Sequence, residues 1–103
     1  YSSAEQQFKR LANQNSEDLD IKKQFAAFYQ DGAFDYQQVL PLAGKTKQTE
    51  IEERITHYLS SSIPLLKEVT KANPDEKAAW HDLYQAYTYL GMKAEAKDAK
   101  SNF

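Results

Sequence analysis

The chain reads as an all-α protein built from antiparallel helical hairpins, and three observations lead there. Apolar residues recur at helical spacing: Trp80, Leu83, Tyr84, Tyr87 and Leu90 fall at i, i+3, i+4, i+7 and i+10. Valine occurs only at positions 39 and 69, while Ala, Gln, Glu and Lys are abundant, so strand formers are scarce. Seven Tyr and five Phe against three Gly and three Pro favour helices packed through aromatic side chains over a loop-rich scaffold.

Taken in order, Ala4 to Gln14 forms a first helix whose narrow apolar stripe is Ala4, Phe8, Leu11 and Ala12. Ser16 is the expected N-cap of a second helix, with Glu17 and Asp18 in its first turn. Its buried face is Ile21, Phe25, Phe28 and Tyr29, and Asp31-Gly32 is the expected stop. A short helix over 33–40 follows, ending near Pro41, and then a polar connector over 41–48. Thr49 with Glu52 three residues on has the capping-box pattern of another helix start. This is the longest helix, with Ile51, Ile55, Tyr58, Leu59, Ser62, Leu66 and Val69 on one face as far as Ala72. Pro64 interrupts it, and because the apolar face keeps register across the proline, a kink is expected there instead of a new helix. Asn73-Pro74 caps and opens the next helix, with Asp75 and Glu76 at the positive end of its dipole. Gly91 ends that helix in a left-handed conformation, and small residues Ala94 and Ala96 let a last helix lie close.

The stretch from Asn73 to Ala96 resembles the tetratricopeptide repeat (TPR), a helical hairpin of about 34 residues with Trp, Leu, Tyr, Gly, Ala and Pro at fixed offsets. Trp80, Leu83, Tyr87, Gly91 and Ala96 sit at five of those offsets, and Pro74 at the end of the preceding unit. Lys100 stands where an aromatic is expected, as in a last, atypical helix facing water. Ile21, Phe25, Phe28 and Gly32 repeat the spacing of Trp80, Tyr84, Tyr87 and Gly91 with an offset of 59 residues. The resemblance therefore implies a single TPR-like domain over 1–103, a solenoid fragment of about six helices. An expanded first hairpin occupies 17–72, with about 25 residues beyond the usual repeat, and a terminal hairpin occupies 73–103. It looks like the C-terminal end of a bacterial TPR protein.

That resemblance implies a protein–protein interaction module, with a groove lined by the first helix of each hairpin. Carried over, the groove positions are His81, Asp82, Gln85, Thr88 and Tyr89 in the second hairpin, and Lys22, Lys23, Ala26, Tyr29 and Gln30 in the first. His81, Gln85, Tyr89, Tyr29 and Lys22 are the expected binding residues, facing away from the side carrying Glu52 and Glu53. The Lys/Asn clamp by which some TPR adaptors hold a terminal carboxylate is not evident. Lys22 would fit it, but Ala26 replaces the Asn and Asp82 brings negative charge.

Composition narrows the classes. One domain is expected from 103 residues, and 41% apolar content supplies a core. A net charge of −2 and a pI near 5.7 give no basis for a nucleic-acid or anionic-membrane partner. No apolar run approaches the ~20 residues of a membrane span. There is no cysteine, hence no disulfide and no thiolate chemistry, and the compartment is unreadable. The two histidines, His57 and His81, belong to no metal-ligand spacing, and His57 is expected at the edge of a helix face. No nucleophile elbow or phosphate loop is present. No enzyme, cofactor or metal is expected, and the partner is a protein or peptide. The alternative is a capping or self-associating module of a longer repeat protein. The start at Tyr1, without Met or a leader-like segment, suggests a mature product or a piece of a longer chain.

Overall fold

The computed structural model describes residues 3–103. Among them are α1 (Ser3–Gln14), α2 (Leu19–Val39), a 3-10 turn (Leu40–Leu42), α3 (Lys45–Ala72), α4 (Lys77–Tyr89) and α5 (Lys93–Lys100), with no strand. The fold is all-α, as the periodicity requires. α2 and α3 form one long antiparallel hairpin, α4 and α5 a short one, and α3 is the post against which both α2 and α4 pack.

Several element ends differ from expectation, each for a local reason. α2 is capped by Asp18, not Ser16. The Asp18 Oδ1 accepts the Asp20 and Ile21 N–H groups at 3.0 and 3.2 Å, and a carboxylate also complements the helix dipole, which a hydroxyl does not. α2 then runs through Asp31-Gly32 without stopping. Gly32 has no positive φ; it is glycine because the Tyr58 ring lies over it, so that an added Cβ would stand 2.5 Å from Tyr58 Cε2. The segment after Gly32 is therefore the second half of α2 and not a separate helix.

Pro41 sits in the first turn of the 3-10 segment, where its missing N–H costs little. Gly44 is extended and opens α3, and the Gln48 side chain folds back to donate to the Ala43 carbonyl at 3.0 Å. α3 thus begins at Lys45, and Thr49 and Glu52, the expected capping pair, lie inside it. It continues unbroken past Pro64 for 28 residues. Both Pro64 and Ser60 are exposed, so water can replace the donor that the proline takes from the Ser60 carbonyl. The expected face holds across it: Ile55, Tyr58, Leu59, Ser62, Leu66 and Val69 are buried, and Ile51 at its start is half-buried.

Asn73 closes α3 instead of opening α4. Its N–H donates to the Val69 carbonyl at 2.9 Å, and its own carbonyl accepts the Glu76 N–H at 3.0 Å. Asn73-Pro74-Asp75-Glu76 is therefore a turn with proline at its second position, and Glu76 is the N-cap of α4. The Trp80 indole N–H donates to the Pro74 carbonyl at 2.8 Å, which holds one edge of the ring at the surface. Trp80 is accordingly half-buried on the flank of the core.

The end of α4 follows the sequence reading closely. Met92 N–H donates to the Tyr87 carbonyl at 2.8 Å and Gly91 N–H to that of Thr88 at 3.2 Å, the paired bonds of a Schellman motif. Gly91 has φ +76°, the only positive φ among the described residues. Gly91→Val should cost about 1 kcal/mol or more, because a β-branched residue is strained there. Read as a thermal melt of a chain this size, that is a drop of about 4–8 °C. An unchanged midpoint would show that the turn tolerates another geometry.

The core runs along α3 in two clusters. One joins Ala26, Leu66, Val69, Ala79, Leu83, Tyr87, Ala96 and Ala99, while Ala94, expected to lie close, is exposed; the other joins Phe25, Tyr29, Ala33, Ile55, Tyr58, Leu59 and Ala86. The molecule measures 42 × 33 × 16 Å.

Candidate functional site

Between α2 and α4 the surface opens into a groove of about 320 Å³. One wall is Gln30, Ala33, Phe34 and Gln37 of α2; the other is Tyr84, Gln85, Thr88 and Tyr89 of α4; Leu59 of α3 forms the floor. The spacing explains the shape. Gln30, Phe34 and Gln37 lie at i, i+4 and i+7, and Gln85, Thr88 and Tyr89 at i, i+3 and i+4, so each wall is one helix face. No charged side chain lines the groove. Phe34 is 59% exposed and Tyr89 39%, so two large aromatic side chains remain accessible at its walls. Burial, reinforced by the charge of Glu52, raises the Tyr89 phenol above its ordinary value, so it is a neutral donor at physiological pH.

Of the expected binding residues, Gln85 and Tyr89 stand in this groove, together with Thr88 and Gln30. His81 is exposed one turn before Gln85, and the Phe103 ring packs on it edge-on at 5.4 Å. Tyr29 and Lys22 do not belong to it. Tyr29 is 2% exposed because its phenol is drawn into the interior by a buried carboxylate, that of Glu5. Lys22 turns toward α3 and pairs with Glu68 at 3.0 Å. Lys23 is likewise engaged, with Glu76 at 2.8 Å. Glu52, expected on the opposite side, lies close enough to Tyr89 to act on its ionisation. Asp82 is half-buried near His81 and Asp31, its carboxyl raised by burial and by Asp31 against the opposing pull of His81.

Phe34, Gln37 and Ala33 were not legible as groove residues, because reading Gly32 as a stop severed them from the helix that presents them. The usable signal was the i, i+4, i+7 continuation from Gln30 through Phe34 to Gln37.

A second polar cluster lies beneath α1. Glu5 is fully buried, and its Oε2 accepts the Tyr29 hydroxyl at 2.6 Å and the His57 Nε2–H at 2.8 Å, with Lys9 Nζ at 4.0 Å. An ionised carboxylate can only accept, which fixes His57 as the donor. Burial alone pushes the Glu5 carboxyl up. The hydrogen bonds from Tyr29 and His57, with the electrostatic pull of His57 and Lys9, outweigh it and hold Glu5 below the usual carboxylate value. Tyr29 is driven well above an ordinary phenol, by burial first and then by Glu5.

Among the described residues, no group of three or more His, Cys, Asp or Glu side chains is arranged to hold a metal ion. None of their helices is long and apolar enough to cross a membrane. Comparison of the chain with protein-family models, curated proteins and solved structures finds no match.

Proposed function

We propose that this chain is a protein-interaction module that binds an uncharged, apolar-rich peptide segment in the groove between α2 and α4. The observation that carries the reading is the pairing of exposed Phe34 and Tyr89 with Gln37, Gln85 and Thr88 around an open, charge-free cleft. Aromatic rings bury much area with few rotors to freeze, and amide and hydroxyl groups can meet a peptide backbone. The TPR resemblance points the same way, since α2 and α4 are the first helices of their hairpins and a TPR ligand lies along first helices. On this reading the chain works as a scaffold and carries out no chemistry.

The test is selection from a random peptide library on the immobilised chain, followed by affinity measurement against a Gln85→Ala, Tyr89→Ala double variant. Both residues are exposed, so the variant should keep its helical circular dichroism. Selected peptides should weaken by roughly 30-fold, about 2 kcal/mol, as for truncating an interface hot spot. Peptides that hold full affinity for a folded variant would place the site elsewhere.

One observation favours self-association as a second reading. Val39 and Leu42, at the tip of the long hairpin, are 45% and 86% exposed. A mass that rises with concentration in light scattering, and falls back with Leu42→Ser, is the expected signature of that reading.

A further inference from the structure

The attachment of α1 differs in kind from the other helix contacts. Its one fully buried side chain is a carboxylate, Glu5, whereas α2 to α5 each bury apolar residues. Both core clusters take their buried members from α2 to α5 alone; Phe8 and Ala12 only pack against the second from outside, and Leu11 is 44% exposed. The Phe8 ring stacks on Phe25 at 5.4 Å and leans on Phe28 at 5.4 Å. The link to α2, residues 15–18, is polar and exposed throughout. So α1 contributes no buried member to either cluster and lies over the second from outside, held there by the Phe8 ring and by the bridge from Glu5 to α2 through Tyr29 and to α3 through His57.

We propose that α1 is a separable latch, fastened by the Glu5–Tyr29–His57 bridge, and that acid releases it to uncover the aromatic face of Phe25 and Phe28. The hydrogen bonds from Tyr29 and His57 offset the cost of burying the Glu5 charge, and protonation removes the charge assistance from both. Among the described residues, the titratable groups facing Glu5 are Lys9 on α1, Tyr29 on α2, and His57 on α3, with Tyr58 ringed against Tyr29 and His57 at 5.5 and 5.8 Å. The sign follows from the direction of each shift. Glu5 titrates lower folded than unfolded, so its contribution is complete above its ordinary value of 4.5 and is lost as pH falls through the folded value. Tyr29 titrates higher folded than unfolded. Its contribution is complete below 10 and is lost as pH rises through its folded value.

Hydrogen–deuterium exchange of the full chain, resolved by peptide and corrected for intrinsic rates, tests this between pH 7 and pH 3. Amides of α1 should lose protection on acidification by about 10- to 100-fold more than those of α3 and α4, the range for losing hydrogen bonds to a charged group. Glu5→Gln should show the loosened α1 already at pH 7, with no further change in acid. Loss of protection in all helices together, in one acid step, overturns the latch. So does a Glu5→Gln chain whose α1 is as protected as the wild type at pH 7, or one that does not fold at all.

Discussion

Ile55→Ala should lower the unfolding free energy by about 3–5 kcal/mol, in the upper range for deleting an enclosed Ile side chain. Ile55 has no exposed surface and belongs to the cluster of Phe25, Tyr29, Ala33, Tyr58, Leu59 and Ala86. The size of the effect depends on whether the neighbours can fall into the space left behind. Here they are held. Phe25 stacks on Tyr29 at 4.7 Å, Tyr29 is tied to Glu5, and Tyr58 is hemmed in by Phe28, Tyr29 and Tyr36 at 5.5–5.8 Å. Rings fixed on several sides leave most of the cavity open. The loss is a large part of the roughly 5–15 kcal/mol that stabilises a domain of this kind. Urea unfolding followed by circular dichroism measures it directly. Leu11→Ala, at a 44% exposed position, is the control and should stay within about 0.5 kcal/mol. A loss below about 1 kcal/mol at Ile55 would mean that the cluster repacks.

What the sequence reveals here divides by physical cause. The buried face of α3 was readable because periodicity reports burial through many residues at once, so Pro64 could not disguise the register. Gly91 was readable because a glycine after a helical stripe, followed by another helix, has few other uses. The misread positions are those where one residue type serves two purposes. Gly32 can stop a helix or admit a neighbouring ring, and only the partner across the interface decides. Asn73 can open a helix or close one, and its N–H was already committed to Val69. Thr49 and Glu52 match a capping box, yet nothing in residues 45–48 opposes extending the helix backward. The expected site failed in part for a different reason. Tyr29 and Lys22 lie on α2 as read, but Glu5 and Glu68, distant in sequence, turn their side chains away from the groove. A lone carboxylate on an otherwise polar helix, as Glu5 is, reads as solvated until a hydroxyl and an imidazole from two other helices meet it. The groove itself was half legible: its α4 wall followed from Gly91, while its α2 wall was cut off at Gly32.

Gly32→Val should destabilise the chain by about 3 kcal/mol, and the cause should be traceable to one ring. In most helix interiors, replacing glycine is favourable: Ala gains about 1 kcal/mol in propensity and Val a few tenths. Here an ideal Cβ would lie 2.5 Å from Tyr58 Cε2 and 2.7 Å from Cδ2. The ring cannot swing clear, because Phe28, Tyr29, Tyr36 and His57 surround it at 5.5–5.8 Å. α2 must move off α3 instead, which places the cost at or above the upper end of the usual 1–3 kcal/mol for overpacking. Ala offsets more of the clash through propensity and should lose only about 1 kcal/mol. A double-mutant cycle identifies the mechanism. In a Tyr58→Leu background the clash partner is gone, and the valine penalty should shrink to under about 1 kcal/mol. The penalty of Gly91→Val, which comes from its φ of +76°, should be unchanged in that background. If valine costs the same at position 32 with and without the tyrosine ring, glycine is required there for its backbone and not for the approach of α3.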